Sequence, residues 1–239
     1  MTVPVHRPRA TGRITLADVA RAAAVSPITV SRALRGERAV DPSLVHRVQT
    51  AAAKLGYAPN PAARALASGH SSHVAVLIPT LSNATFVDLL EAIQRSLRGA
   101  GYQSLIGVTH YDFGEEETLL REQLLHRPAG LMVTGLQRNE ATRMLIAQSG
   151  VPCVHLMDVS NTPGLYCVGC SQADGAAELT RYLLSQGRRR IAFAGAQLDP
   201  RTMQRLEGWR RTLLEARCYD TTLEWLNPAT SSIAMGGRM

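Results

Sequence analysis

The tightest constraint in this sequence is a two-residue break, Ala24-Val25, between two segments that each repeat apolar residues at helical spacing. Upstream, Thr15 can cap a helix whose inner stripe is Leu16, Val19, Ala20 and Ala23. Downstream, Ser26 caps a second helix with Pro27 at its first position, where the missing N–H leaves no bond unmade. Val30, Ala33 and Leu34 form its inward face, so Pro27, Ile28, Thr29, Ser31, Arg32 and Arg35 point outward. Two short helices across so tight a turn can lay the second one in a DNA major groove. An outward Ile28 beside an outward Arg32 suits base edges, since Arg forks onto guanine and an aliphatic group meets the thymine methyl. The plainer alternative is a three-helix unit whose outer face is simply polar.

A third helix is expected over Pro42 to Leu55, with Leu44, Val45, Val48, Ala51, Ala52 and Leu55 on one face and Gly56 as its stop. Beyond it, Asn60 can cap and Pro61 can start a short helix through Arg64 and Leu66. That segment has almost no apolar face, and so brief a helix is marginal alone in water. Paired with a second copy on DNA it could form, leaving Leu66 free to wedge between base steps in the minor groove. Otherwise it is an interdomain linker.

Charge separates the chain into the same two parts. Residues 1–70 hold ten Arg and Lys against three Asp and Glu, a net +7, whereas residues 71–239 hold sixteen of each. A cation-rich end on a neutral body is the footprint of a phosphate-contacting module. Arg7, Arg9 and Arg13 in the leading tail would add non-specific affinity. The sequence has no apolar run long enough to span a bilayer and no hydrophobic leader, so a cytoplasmic setting without membrane partners is expected. Cys153, Cys167, Cys170 and Cys218 are too irregularly spaced for a disulfide framework. The single C-x-x-C at Cys167 and Cys170 lacks a second pair, so neither metal nor cofactor is expected.

From His73 onward strands and helices alternate. Strands are expected at Val74–Ile78, Gln103–Val108, Gly130–Val133 and Val151–Leu156, with helices over Phe86–Ala100, Glu115–Leu125 and Asn139–Ser149. A second series follows: strand Tyr166–Gly169, helix Asp174–Ser185, strand Arg190–Ala194 and helix Thr202–Ala216. Such alternation implies parallel sheets with right-handed crossovers and ligands at the carboxyl ends of the strands. The loops to watch are therefore 79–85, 134–138, 157–162 and 194–205.

These motifs together resemble one family. The runs "ITLADVARAAAVSPITVSRALRG" and "LGYAPNPAARALASG" are similar to the DNA-binding headpiece and hinge of lactose/galactose (LacI/GalR) repressors. "VAVLIPTLSNATF", "AGLMVTG", "GVPCVHLMD" and "RRIAFAGAQLDPRTMQRLEGWRRTLLEA" resemble that family's sensing domain. The resemblance implies an all-α helix-turn-helix headpiece at 1–59, a hinge at 60–71, and an α/β domain like periplasmic binding proteins at 72–239. It carries base reading to Pro27, Ile28 and Arg32, the wedge to Leu66, and effector contacts to Thr80, Ser82, Phe86, Asp158 and Arg205, with Arg201 close by as a further expected contact. Ala24 stands where the family usually has glycine; positive φ there would cost an alanine on the order of 1 kcal/mol.

"SPITVSRAL", "IPTLSN", "HLMD" and "DPRT" are nearest to the gluconate-utilisation type. A homodimeric repressor is then implied, binding double-stranded operator DNA and responding to a sugar acid. An Arg fork is the natural partner of its carboxylate, and Asp158 would accept hydrogen bonds from the polyol. A neutral sugar or another metabolite is the alternative effector. From a different class comes a hydrolase using Ser171, because Gly169-Cys170-Ser171-Gln172-Ala173 resembles a degenerate nucleophile elbow with His155 nearby in sequence. Members of the family are longer, so the chain is expected to be a fragment whose second lobe is half built, with an exposed sheet edge over 163–239.

Overall fold

The structure is a computed structural model that describes residues 14–36, 40–58 and 71–238. The chain divides into two compact units, Met1–Gly69 and His70–Met239. The expected hinge positions Asn60, Arg64 and Leu66 lie outside the described residues.

The first unit holds α1 (Leu16–Ala22), α2 (Pro27–Arg35) and α3 (Pro42–Leu55). Each begins on a local cap. The Thr15 backbone N–H donates to Asp18 at 2.9 Å while the Thr15 hydroxyl accepts from the Asp18 amide at 3.4 Å, a reciprocal box. Ser26 Oγ accepts from Thr29 N at 3.1 Å, and Asp41 accepts from Ser43 N at 2.8 Å. Between α1 and α2 the backbone turns through Ala24 at φ 51°, the left-handed conformation anticipated for it. The core joins Val19, Val30 and Val48, all at 0% exposure. Burying each contributes about 1.5–3 kcal/mol, so three valines from three helices set the crossing geometry.

The second unit contains two parallel sheets. The larger has the order β2-β1-β3-β4-β5, from β1 (His73–Ile78), β2 (Gln103–Val108), β3 (Gly130–Thr134), β4 (Cys153–Leu156) and β5 (Tyr166–Val168). Helices α4 (Ala84–Gly99), α5 (Phe113–Leu125) and α6 (Glu140–Ser149) connect the first four. Alternate residues of central β1 feed opposite layers, as the period of a strand requires. Val74, Val76 and Ile78 meet Phe86, Leu90 and Ile93 of α4, while Ala75 and Leu77 meet Leu120 of α5.

The smaller sheet pairs β6 (Phe193–Ala196) with β7 (Glu224–Asn227). Helices α7 (Gln172–Ser185) and α8 (Pro200–Glu215) accompany it, and α9 (Ile233–Gly236) is a single turn. At Gly208 a Cβ would lie 2.0 Å from the Ala173 carbonyl, so α7 and α8 touch backbone to backbone and only glycine fits. Trp209 packs beside Gly208, its ring 5.8 Å from both Phe193 and Tyr219.

Two expectations need correction. Tyr166–Val168 does not open the second series; it closes the first sheet through His155↔Cys167 and Leu156↔Val168. The sixth strand begins three residues later than its apolar run suggests, because its partner β7, unforeseen from sequence, meets it from Phe193↔Glu224. Strand ends are set by the neighbour that supplies hydrogen bonds, and hydrophobicity alone does not report that.

Candidate DNA-reading face and ligand cleft

Helix α2 divides as its periodicity required. Val30 and Ala33 are buried, Pro27, Arg32 and Arg35 are exposed, and Ile28 is 66% exposed. Thr29 and Ser31 are half-buried at the edges of the outer face. The Ser26 and Thr29 hydroxyls lie 2.8 Å apart and stiffen the first turn. Thr15 is exposed at the start of α1, its side chain committed to the cap. An exposed isoleucine one turn before an arginine has no packing role here, which leaves it available to another molecule.

In the second unit a cleft of about 440 Å³ opens at the carboxyl ends of the large sheet. Its walls include Pro79 after β1, Thr109 after β2, Thr134 and Gly135 at β3, and Asp158 after β4. The opposite wall is the loop from β6 into α8: Gln197, Leu198, Asp199 and Arg201. Backbone strain gathers around it. His110, Tyr111, Met157, Gln197 and Leu198 have φ of 47°, 63°, 61°, 70° and 41°. Left-handed non-glycine residues cost of order 1–3 kcal/mol each and cluster where a site over-determines its geometry.

Arg201 is the hub of this wall. Its guanidinium pairs with Asp199 at 3.0 Å and lies over the Phe86 ring at 4.9 Å and the Tyr111 ring at 6.0 Å. Burial pushes the Asp199 carboxyl up, but the Thr202 amide and Arg201 outweigh it and hold its pKa below the usual value. Burial also raises the Tyr111 phenol against the pull of Arg201. Asp158 is buried and accepts from the Val159 amide at 2.9 Å.

Residues 15–60 match the family model "Bacterial regulatory proteins, lacI family", and residues 71–234 match "Periplasmic binding proteins and sugar binding domain of LacI family". The chain belongs to the LacI family. This LacI-family chain is 52% identical over 231 residues to the HTH-type transcriptional regulator GntR of Pseudomonas aeruginosa, covering 97% of this chain and 67% of that protein. To GntR of Escherichia coli K12 it is 34% identical over 226 residues, covering 93% and 68%. A solved transcription regulator GntR from Chromobacterium violaceum is 49% identical with a TM-score of 0.66, over 70% of this chain and 61% of that one. The lac repressor dimer bound to operator and the anti-inducer ONPF is 25% identical with a TM-score of 0.77, over 90% and 65%. The chain thus spans about two thirds of the length of the curated relatives it matches. These relatives are named as regulators, not enzymes.

Not every expected effector residue of the LacI-family chain reaches the cleft. Asp158 and Arg201 line it. Phe86 is 1% exposed and acts from behind, as the ring under Arg201. Thr80 and Ser82 bond to each other at 2.8 Å in the turn before α4, off the cleft wall. Arg205 turns to Gln172, donating from Nε to Oε1 at 2.7 Å beside a separate groove along α7. Tyr111 and Glu116 were missed, whereas Gln197 and Asp199 lie in the 194–205 loop expected at the carboxyl ends of the strands. The Ser171 elbow is not assembled: its Oγ caps α7 by accepting from Asp174 N at 3.1 Å, while His155 faces Arg138. Among the described residues no group of three metal-ligating side chains gathers, and no helix is long and apolar enough to cross a membrane.

Proposed function

We propose that this chain is a sequence-specific transcriptional repressor whose hold on operator DNA is released by a small sugar acid such as gluconate. The observation that carries the DNA half is the outer face of α2, with Ile28 66% exposed beside Arg32 at the end of the chain that bears the whole net charge. Two copies, assembled as in the lac repressor dimer, present two headpieces to a pseudo-palindromic site. Ile28 and Arg32 read base edges, Pro27, Ser31 and Arg35 position the helix, and Ser26 and Thr29 keep its N-terminus toward a phosphate. The division into headpiece 1–59, hinge 60–71 and sensing domain 72–239 belongs to the same reading. In the hinge, Asn60 and Arg64 frame a short helix and Leu66 opens the minor groove, bending the duplex.

The effector enters the cleft between the sheet ends and the 197–201 loop. Asp158 accepts its hydroxyl hydrogens, and Arg201 meets its carboxylate. Ligand that binds one relative position of the two walls better than another shifts the population, and operator affinity changes by that differential energy. One observation favours a neutral sugar instead: the charge of Arg201 is already met by Asp199, while Asp158 is a buried acceptor.

Selection of duplexes from a random library by the purified chain tests the DNA reading, with and without millimolar gluconate. Enrichment of one pseudo-palindrome, weakened by gluconate, is expected. No enriched sequence sinks the repressor reading; enrichment that glucose but not gluconate weakens moves the effector to the neutral class.

A further inference from the structure

Helix α5 buries one stripe, Glu116, Leu120 and Gln123, at helical spacing. Leu120 is 0% exposed and packs under β1, so the stripe is a core face, and its first position calls for an apolar side chain. It holds a carboxylate instead. Glu116 is 7% exposed and lines the cleft. Its Oε1 accepts from Arg138 Nε at 3.2 Å. Arg138 is fixed in turn: Nη1 donates to His155 Nδ1 at 2.9 Å and Nη2 to the Gly135 carbonyl at 3.0 Å.

A buried ion pair is weak evidence for stability, because desolvating two charges offsets much of their attraction. An apolar pair of similar volume would serve packing as well. The pair lies where the stripe leaves the core and reaches the cleft, between the carboxyl ends of β2 and β3. Arg138 uses Nε on one oxygen of Glu116, which leaves the second oxygen for a donor in the cleft.

We propose that Glu116 is a ligand-contacting carboxylate at the cleft floor, accepting hydrogen bonds from a hydroxyl of the effector, and that Arg138 is its positioning residue. This rests on the cleft reading above. It makes the site selective for a polyol hydroxyl at that depth, whatever the far end of the ligand carries. A ligand without that hydroxyl leaves Glu116 buried and half satisfied, which is the means by which polar sites reject deoxy analogues.

The test is calorimetric titration of the whole chain and of Glu116→Gln with gluconate, with glucose, and with the monodeoxy analogues of whichever binds. Glu116→Gln keeps the volume and removes the charge. Affinity for the parent ligand is expected to fall tenfold or more, and the loss is expected to vanish for one deoxy analogue only. Because the Arg138 side chain is 2% exposed and loses its counter-charge, the ligand-free melting temperature should fall, so affinities are compared well below both unfolding transitions. Arg138→Lys, which keeps a cation but not the three-way fork, should weaken the same ligands with the same pattern. A uniform loss over all analogues would make Glu116 merely structural. If one ligand binds the parent and Glu116→Gln stays within twofold, the cleft reading stands and the role of Glu116 falls. If neither binds the parent, the cleft reading fails and takes this proposal with it.

Discussion

The guanidinium of Arg201 lies 4.9 Å above the ring of Phe86, joining the first turn of α8 to the first turn of α4 behind the cleft wall. Such a stack is worth about 0.5–2 kcal/mol, more as it is desolvated. Only 11% of the Arg201 side chain is exposed. Arg201 therefore ties α8 to α4 while also lining the cleft.

Replacing Arg201 separates its two roles. Arg201→Lys retains a charge for Asp199 but loses the planar stack, so under the proposed sugar-acid reading gluconate affinity should drop tenfold or more with modest loss of stability. Arg201→Ala leaves Asp199 buried without its partner and should cost about 3–5 kcal/mol. Titration calorimetry and urea unfolding of the two variants distinguish these outcomes; equal, small effects in both would deny Arg201 either role.

At the other end of the chain, Arg32→Ala should reduce operator affinity by roughly 1–3 kcal/mol and relax preference at one base pair per half-site. Fluorescence anisotropy against single-substituted duplexes reads both. A loss spread evenly over all sequences would demote Arg32 to a phosphate contact.

The turn offers a stability gain. Ala24 sits at φ 51°, which a Cβ disfavours and glycine does not. Ala24→Gly should stabilise the headpiece by up to roughly 1 kcal/mol, the relief of strain being partly offset by the greater freedom of glycine when unfolded. A rise in urea midpoint with unchanged slope is the expected result, and a fall would show that the turn is not strained.

Acid should loosen the second unit through His155. Arg138 can only donate, so His155 Nδ1 accepts and the ring is neutral, its proton on Nε2; the Gly135 carbonyl at 3.2 Å then receives nothing from it. Burial lowers the His155 pKa below 6.5, the nearby Gly135 carbonyl and Asp158 oppose this, and the Arg138 charge adds to it. The unfolded chain then binds more protons than the folded one as pH falls through 6.5, so stability drops below that value and is flat above it. Glu116 acts in the opposite sense, because burial, only partly countered by Arg138, raises its pKa. Urea unfolding of His155→Gln against the parent isolates the histidine: the variant should lose the decline that sets in below pH 6.5.

Local chemistry made much of this molecule legible in its residues. Thr15, Ser26, Asn139 and Ser171 each cap the amide three residues on, so those helix starts depend on neighbours in sequence alone. The stripe of Val30 and Ala33 and the unbroken run of β1 likewise report burial directly, and with them the outward side of α2. The cleft is another matter. Its determining contacts join residues far apart in the chain: Phe86 with Arg201, Glu116 with Arg138, Arg138 with His155. Arg201 and Arg205 lie one turn apart on α8, yet one turns to the cleft and the other to Gln172. No periodicity separates two exposed-looking arginines. Their direction follows from which partner the packed sheets and helices bring within reach, and that choice is made by tertiary geometry, because a charged side chain settles wherever a buried counter-charge or acceptor repays its lost water.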